Sequence, residues 1–494
     1  MTFGDNLAFK ATYVIQEPFV YSAVVEDPAT KELTYRIIEP TITPEEKEVL
    51  ERIKKVLFQE VEIDLEQIDS GRAPEILEKE TRRIIKEYKM KVDESSFAKL
   101  FYYIKRDFLG FERLDPMMHD HFIEDISCDG VGIPIYIWHR EWESIPSNVS
   151  FDTEEDLNRM VVRLAYRCGR HISIGNPILD GSLPDGSRVN ATYGSEISKK
   201  GATFTIRRFR ADPLTIVDMI SLKTVSPDLA ALLWFAVENK SSVLVAGGVA
   251  SGKTTLLNCI SMFIRPDLKI VTIEETPELN LPHINWIPMT TRTGFGKKEA
   301  DVSLFDLLKN SLRQRPDYII VGEVRGREAY TLFQALATGH GVQATIHADS
   351  PASVFKRLEA EPMNVPRPLI GLIDLIIMQN RTRIGDRPAR RTVDVTEVGG
   401  YDPDSDRLVT NQLGRWDPRS DTFNISNESL VLKKISERRG ISMEEIQAEI
   451  NRRKTIFRWM ERRGMRRYQE IGNVLREFYA DPDRIFRRAM VESV

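Results

Sequence analysis

Cysteine is scarce in this chain of 494 residues: there are three, Cys128, Cys168 and Cys259. Their wide separations form neither a CxxC pair nor a disulfide framework, and they fit a reducing cytoplasm. The opening residues lack the basic, apolar, small-residue layout of a secretory signal, and no apolar run is long enough to span a bilayer. The most apolar window, Leu369 to Met378, is short and interrupted by Asp374, as a buried helix or strand would be. The chain is therefore expected to be soluble, with any membrane role peripheral. Internal repeats and low-complexity tracts are missing as well, which excludes solenoids and disordered arrays. The formal net charge of −5 lacks the broad basic field of a non-specific nucleic-acid coat, so no nucleic-acid partner is expected.

What is present is ordinary globular composition, 41% hydrophobic and 29% charged, in a length that suggests about three folding units. Residues 1–85 read as an N-terminal acidic lobe. It opens with a β-rich stretch around Tyr13, Val14 and Phe19 to Val25 and passes into an amphipathic helix near Pro44. Between Thr41 and Glu80 it carries six basic and twelve acidic residues. Residues 86–210 read as an α+β N-terminal domain, with strands at Ile133 to Trp138 and Ala202 to Phe209 and a helix after the Asp152/Thr153 cap signal. Residues 211–225, around Pro213, are expected to be an interdomain linker. Residues 226–400 alternate short apolar runs with helical patterns, at Val243 to Val245, Ile270 to Ile273, Tyr318 to Val321 and Gln343 to Ile346. That alternation calls for a parallel α/β sheet covered by helices. Residues 401–494 are expected to form a C-terminal subdomain ending in a helical tail, which is net +7 between Val431 and Met490.

Gly247-Gly248-Val249-Ala250-Ser251-Gly252-Lys253-Thr254 is a P-loop between an apolar strand and a helical pattern. Its glycines let backbone N–H groups wrap phosphates, Lys253 can reach the β/γ-phosphates of ATP, and the Thr254 hydroxyl can ligate Mg²⁺. Thr255 continues the same first helical turn. Sixty-four residues after Lys253, Asp317-Tyr318-Ile319-Ile320-Val321-Gly322-Glu323 has the form of a Walker B strand. Gly322 holds the usual aspartate position, so Glu323 is the candidate organiser of Mg²⁺-bound or attacking water. Glu274, Glu275 and Glu278 cluster after the second apolar strand, where a carboxylate could align water; a solvated loop would look the same. His340 and His347 stand at the two ends of a short strand, as phosphate sensors or turn closers. Arg188, Arg207, Arg208 and Arg210 are candidate phosphate-reaching arginines or a solvated basic face.

The string Leu312-Arg313-Gln314-Arg315-Pro316-Asp317-Tyr318-Ile319-Ile320-Val321-Gly322-Glu323-Val324-Arg325 closely resembles the signature of the type II/IV secretion ATPases. The order of P-loop, acidic box, Gly-Glu Walker B and histidine box is also similar to theirs. The resemblance implies a RecA-like α/β P-loop ATPase core behind an α+β N-terminal domain, in a hexameric ring that hydrolyses ATP with Mg²⁺. It implies phosphate and Mg²⁺ binding by Lys253 and Thr254, hydrolysis supported by Glu323, and Glu278 as general base. It also implies an acidic box opened by Glu274 and Glu275, a histidine box of His340 and His347, and nucleotide-reaching arginines at Arg188 and Arg207. Gly326 replaces a common aspartate and no tetracysteine zinc module follows, so the archaeal branch is the nearer likeness, carried by Gly248 to Asn258 and Pro277 to Trp286. Through Tyr35-Arg36-Ile37-Ile38-Glu39-Pro40 the opening resembles the archaellum motor ATPase. The implied partners are an integral-membrane platform protein and accessory cytoplasmic motor proteins at the cytoplasmic membrane face. Archaeal type IV pilus or type II secretion ATPases, a nucleic-acid translocase and a nucleotide-gated scaffold are the competing readings.

Overall fold

The computed structural model describes residues 8–60, 72–209, 212–292, 301–385 and 387–492. The chain divides into two compact units, Met1–Phe209 and Arg210–Val494.

The first unit opens with β1 (Ala8–Gln16), β2 (Val20–Glu26) and β3 (Leu33–Ile38) in an antiparallel sheet. Helices α1 (Pro44–Glu60), α2 (Ala73–Glu87) and α3 (Glu94–Phe108) follow, then a short α4 (Asp115–His119). Strands β4 (Ile123–Cys128), β5 (Tyr136–His139) and β6 (Glu143–Pro146), helix α5 (Glu154–Arg167), and strands β7 (Ile178–Ser182), β8 (Arg188–Thr192) and β9 (Thr203–Arg207) complete it. The second sheet runs β6-β5-β4-β9-β8-β7. The Thr153 hydroxyl caps α5 by accepting the Asp156 N–H at 3.2 Å, and Leu157, Met160, Val161, Leu164 and Ala165 are buried on one face.

The expected division at residues 85/86 differs from this architecture. Leu50 and Ile53 of α1, Leu77 and Ile84 of α2, and Leu100 and Ile104 of α3 share one core. Tyr35 of β3 packs in the same core as Ile126 of β4. The buried Asp120 carboxylate accepts the hydroxyls of Tyr13 and Tyr35 at 2.7 and 2.6 Å, tying the opening sheet to the second. Part of the acidic charge is consumed internally, as in the Glu46–Lys99 pair at 2.6 Å.

The second unit starts with α6 (Ile216–Ser221) and α7 (Pro227–Glu238). Arg210 and, from the expected linker, Ala211 lie outside the described residues. Its remainder belongs to this unit: Thr215 and Asp218 form a reciprocal cap on α6, and Ile216 and Val217 are buried in the core. Then come β10 (Val243–Gly247), α8 (Lys253–Ser261), β11 (Ile270–Glu274), β12 (Trp286–Thr290), α9 (Leu304–Ser311), β13 (Tyr318–Val321), α10 (Glu328–Ala337), β14 (Gly341–His347), α11 (Pro351–Glu359) and α12 (Arg367–Ile370). Strands β15 (Leu375–Ile384), β16 (Arg387–Asp402), β17 (Arg407–Asp417) and β18 (Thr422–Ile425) lead to α13 (Leu430–Arg439), α14 (Met443–Arg462), α15 (Tyr468–Ala480) and α16 (Pro482–Val491). One nine-stranded sheet runs β12-β11-β13-β14-β10-β15-β16-β17-β18. It is parallel from β12 to β15 and antiparallel thereafter.

Strand periodicity sets its two cores. Val243 and Val245 of β10, Tyr318 and Ile320 of β13, and Leu375 and Ile377 of β15 enter one core. Their neighbours Leu244 and Ala246, Ile319 and Val321, and Ile376 and Met378 enter the other. Side chains of both alternating sets must be apolar, which is why these strands read as continuous hydrophobic runs.

The expected boundary at residues 400/401 falls inside β16, and the basic tail is bound to the core. Trp234 of α7 lies 5.3 Å from the Phe457 ring and 4.7 Å from the Phe478 ring. Arg453 of α14 is buried, pairs with Glu238 and Glu449, and its guanidinium carbon lies 4.8 Å from the Phe478 ring centre. Arg453→Ala is expected to cost about 3–5 kcal/mol, because truncation strands the Glu238 carboxylate and empties an aromatic cage. Denaturant unfolding of the variant against the parent checks this.

Candidate functional site: a P-loop at the carboxyl edge of the parallel sheet

Strand β10 is flanked by β14 and β15, so the loop leaving its carboxyl end opens where an α/β sheet seats ligands. Residues Gly247 to Gly252 form that loop. A Cβ on Gly247 would stand 2.2 Å from the Gln379 carbonyl oxygen and 2.6 Å from Ser251 Oγ, so backbone packing demands glycine there. Gly252, at φ +89°, begins α8 in the left-handed region. Ser and Thr hydroxyls cap α6, α7, α9 and α11, whereas α8 starts on a glycine with no side-chain cap. Its first-turn N–H groups and its dipole suit an anion. A Cβ on Gly248 would meet nothing within 4 Å. This cradle fits a nucleoside polyphosphate. Val249 is exposed, Ser251 is buried with its hydroxyl on the Gly248 carbonyl at 2.9 Å, and Thr254 and Thr255 are half-buried on the first turn.

Lys253 is buried, and its Nζ donates to the Gly248 carbonyl at 2.7 Å and lies 3.3 Å from His347 Nδ1. The other ring nitrogen, Nε2, is 3.4 Å from Glu323 Oε1. His347 pairs with Gly247 in the parallel register at the carboxyl end of β14, and Glu323 follows β13 on the neighbouring side. Burial and then the Lys253 cation hold the His347 pKa below its ordinary value. The ring therefore faces the Lys253 ammonium with Nδ1 and the Glu323 carboxylate with Nε2. Lys253, His347 and Glu323 thus form one polar chain across three strand ends.

The acidic box separates into distinct roles. Glu274 ends β11 fully buried, and its Oε1 accepts the N–H groups of Glu278 and Leu279 at 2.9 and 3.1 Å. It anchors the loop that carries Glu278. A Cβ on Gly322, just past β13, would be 3.0 Å from Glu274 Cγ, so a side chain there would crowd Glu274. Glu275 is exposed and paired with Arg325, and Glu278 is half-buried on the loop that Glu274 anchors.

Burial pushes the Glu274 pKa up to about 7, against the lowering effect of the two N–H donors. Because the folded carboxyl keeps its proton to higher pH than the unfolded one, its contribution to stability is present below the unfolded value and is lost as pH rises through about 7. Glu274→Gln keeps the acceptor oxygen and removes the titration. The variant is expected to gain on the parent by on the order of 1–3 kcal/mol between pH 5 and pH 8. Thermal melts at both pH values check this; a difference independent of pH contradicts it.

The remaining predicted residues lie elsewhere. His340 precedes β14 at the amino end, with Nδ1 3.0 Å from the Ala335 carbonyl, and six residues of strand, about 20 Å, separate it from His347. Strand polarity therefore places it at the opposite end of β14 from the P-loop edge within this unit. Arg188 and Arg207 belong to the first unit, where they are directly paired across β8 and β9, both exposed, with Arg188 bonded to Asp180 at 2.9 Å. Arg208 is turned onto backbone carbonyls of Asp120 and Ile123. Sequence reasoning missed Arg390, whose Nε donates to the Ala250 carbonyl of the P-loop at 3.0 Å. The available signal was five arginines between Arg381 and Arg391.

Among the described residues no cluster of three His, Cys, Asp or Glu side chains can hold a metal unaided. A Mg²⁺ held by Thr254 and the phosphates it accompanies is consistent with that chemistry. Among the described residues no helix is long and apolar enough to cross a membrane.

Residues 120–410 match the family model described as type II/IV secretion system protein, and residues 419–493 match a PilB3-like C-terminal model. The chain is 38% identical over 395 residues to the uncharacterized protein MJ0900 of Methanocaldococcus jannaschii, covering 79% of this chain and 71% of that one. It is 51% identical over 241 residues to MJ1287 of the same organism, also uncharacterized, covering 49% and 89% of the two chains. The structure of the Legionella pneumophila ATPase DotB aligns with TM-score 0.42 at 17% identity, covering 75% of this chain and 92% of that chain. With a model matched over more than half its length and a P-loop at the expected sheet edge, the chain belongs to the type II/IV secretion system protein family.

Proposed function

We propose that the protein is an ATP-hydrolysing, Mg²⁺-dependent hexameric motor that drives assembly or rotation of an archaellum from the cytoplasmic membrane face. The observation that carries this reading is the chain Lys253–His347–Glu323, which links a phosphate-reaching cation to the candidate water-organising carboxylate through one imidazole. Lys253 and the first turn of α8 would hold the phosphates, Thr254 would complete Mg²⁺ coordination, and Glu323 would orient the attacking water. Bound Mg²⁺ would supply charge neutralisation on the β- and γ-phosphate oxygens. Glu278 is the proposed general base, with Glu274 setting the position of its backbone. Arg188 and Arg207 are proposed to meet a nucleotide in the assembled ring, and the two-unit chain supplies the domains that nucleotide turnover would move. The partners proposed are an integral-membrane platform protein and accessory cytoplasmic motor proteins.

A second reading, a pilus assembly motor, is favoured by the PilB3-like match over residues 419–493. Loss of the gene in its host separates the two: loss of swimming supports the archaellum, and loss of adhesion with swimming intact supports the pilus. ATP turnover per protomer, measured against protein concentration with and without single-stranded DNA, tests the motor itself. A rate that climbs with concentration and ignores DNA is expected. A flat rate contradicts sites completed between subunits, and strong DNA stimulation transfers the protein to the nucleic-acid translocases.

A further inference from the structure

Beyond the P-loop and Walker B residues, the hairpin of β15 and β16 approaches the same site. Arg390 Nε donates to the Ala250 carbonyl at 3.0 Å, and a Cβ on Gly252 would stand 3.2 Å from Arg390 Cδ. The hairpin arginine therefore lies against the outer wall of the loop.

Three observations give that contact a role. Ala250 sits at φ +57°, a left-handed conformation costly to a residue with a Cβ, so the loop is held in a shape that its sequence does not favour alone. In a trans peptide the carbonyl and the following N–H point in opposite directions, so a carbonyl fixed on Arg390 turns the Ser251 N–H away from the hairpin. Finally, Arg381 is directly opposite Arg390 in the antiparallel register. The two arginines therefore stand side by side on the same face of the sheet. The adjacent Arg391 faces the other way and is buried in a pair with Asp421 at 2.7 Å, so it is the structural arginine of the hairpin.

We propose that Arg390 is a positioning residue of the P-loop, fixing the Ala250–Ser251 peptide in its phosphate-accepting orientation, with Arg381 adding cationic field on the same sheet face. The inference rests on the nucleotide-binding reading above. Its consequence falls on nucleotide affinity rather than on the chemical step.

The test is ADP binding with Mg²⁺ to the full chain, read with a fluorescent analogue, together with KM and kcat for ATP. Arg390→Gln is expected to weaken ADP binding and raise KM by about tenfold, the scale of one charge-assisted hydrogen bond, with kcat held within about twofold. Arg390→Lys, which retains charge and a donor, is expected to recover most of the affinity. Arg381→Gln is expected to weaken ADP about threefold through lost cationic field, an effect that salt suppresses. Unchanged ADP affinity in a folded Arg390→Gln protein overturns the proposal, as does a fall in kcat at constant KM. If Arg390→Gln does not fold, unchanged affinity in Arg381→Gln overturns it. Absence of ADP binding by the parent chain would instead remove the nucleotide reading itself, so the two failures are distinguishable.

Discussion

Lys253→Ala is expected to lower ATP turnover by about a hundredfold or more and to weaken nucleotide binding with it. The ammonium group is buried beside the loop, fixed at 2.7 Å from the Gly248 carbonyl and 3.3 Å from His347. A cation preorganised in a low-dielectric cleft stabilises developing phosphate charge far more than a solvated one, and removing such a donor from a comparable site costs about 10²–10³ in rate. Truncation also frees His347 from the Lys253 cation, so its pKa is expected to rise toward the ordinary imidazole value. Steady-state phosphate release and ADP binding check both effects; turnover within about threefold of the parent would contradict the assigned site.

Glu323→Gln is expected to separate the two. Its carboxylate lies past the Gly322 turn and faces His347 at 3.4 Å. In the proposed mechanism it orients water rather than holding phosphates. Hydrolysis is expected to fall by about 10²–10⁴ while nucleotide affinity changes only a few-fold, leaving bound ATP uncleaved. Single-turnover hydrolysis of pre-bound ATP measures this directly. A parallel loss of binding and turnover would place Glu323 in the phosphate cradle instead.

Much of this site was legible because its elements obey strong local rules. Strands β10, β11, β13 and β14 are buried on both faces, so their apolar runs stand out, and the P-loop glycines are demanded by backbone packing at Gly247 and by the left-handed φ at Gly252. The antiparallel extension β16–β18 was not legible. Its residues are mostly half-buried or exposed and include arginines, so it resembles polar loop until the parallel sheet offers it an edge. Strand β12 is half-exposed and contains Pro288, which its position at the sheet edge tolerates.

The site residues divide in the same way. His340 and His347 look equivalent in sequence, and only the direction of β14 decides which one reaches the P-loop edge. Glu274 and Glu278 are both acids near a strand end, yet burial makes the first an anchor for the backbone of the second. The linker expectation failed at Ile216–Ser221 because Pro213 marks a turn before a capped, buried helix rather than a free connection. A basic helical tail was expected at the C-terminus from its composition. Its attachment to Trp234 depends on contacts more than two hundred residues apart in sequence, which composition does not encode.

The most direct measurement of the central claim is phosphate release from ATP by the full chain, with Mg²⁺ present and with Mg²⁺ removed by a chelator. The Lys253–His347–Glu323 arrangement predicts sustained turnover that requires Mg²⁺ and returns when the metal is restored. Tight ATP binding with no phosphate release at any protein concentration would contradict it, and would make the protein a nucleotide-gated scaffold.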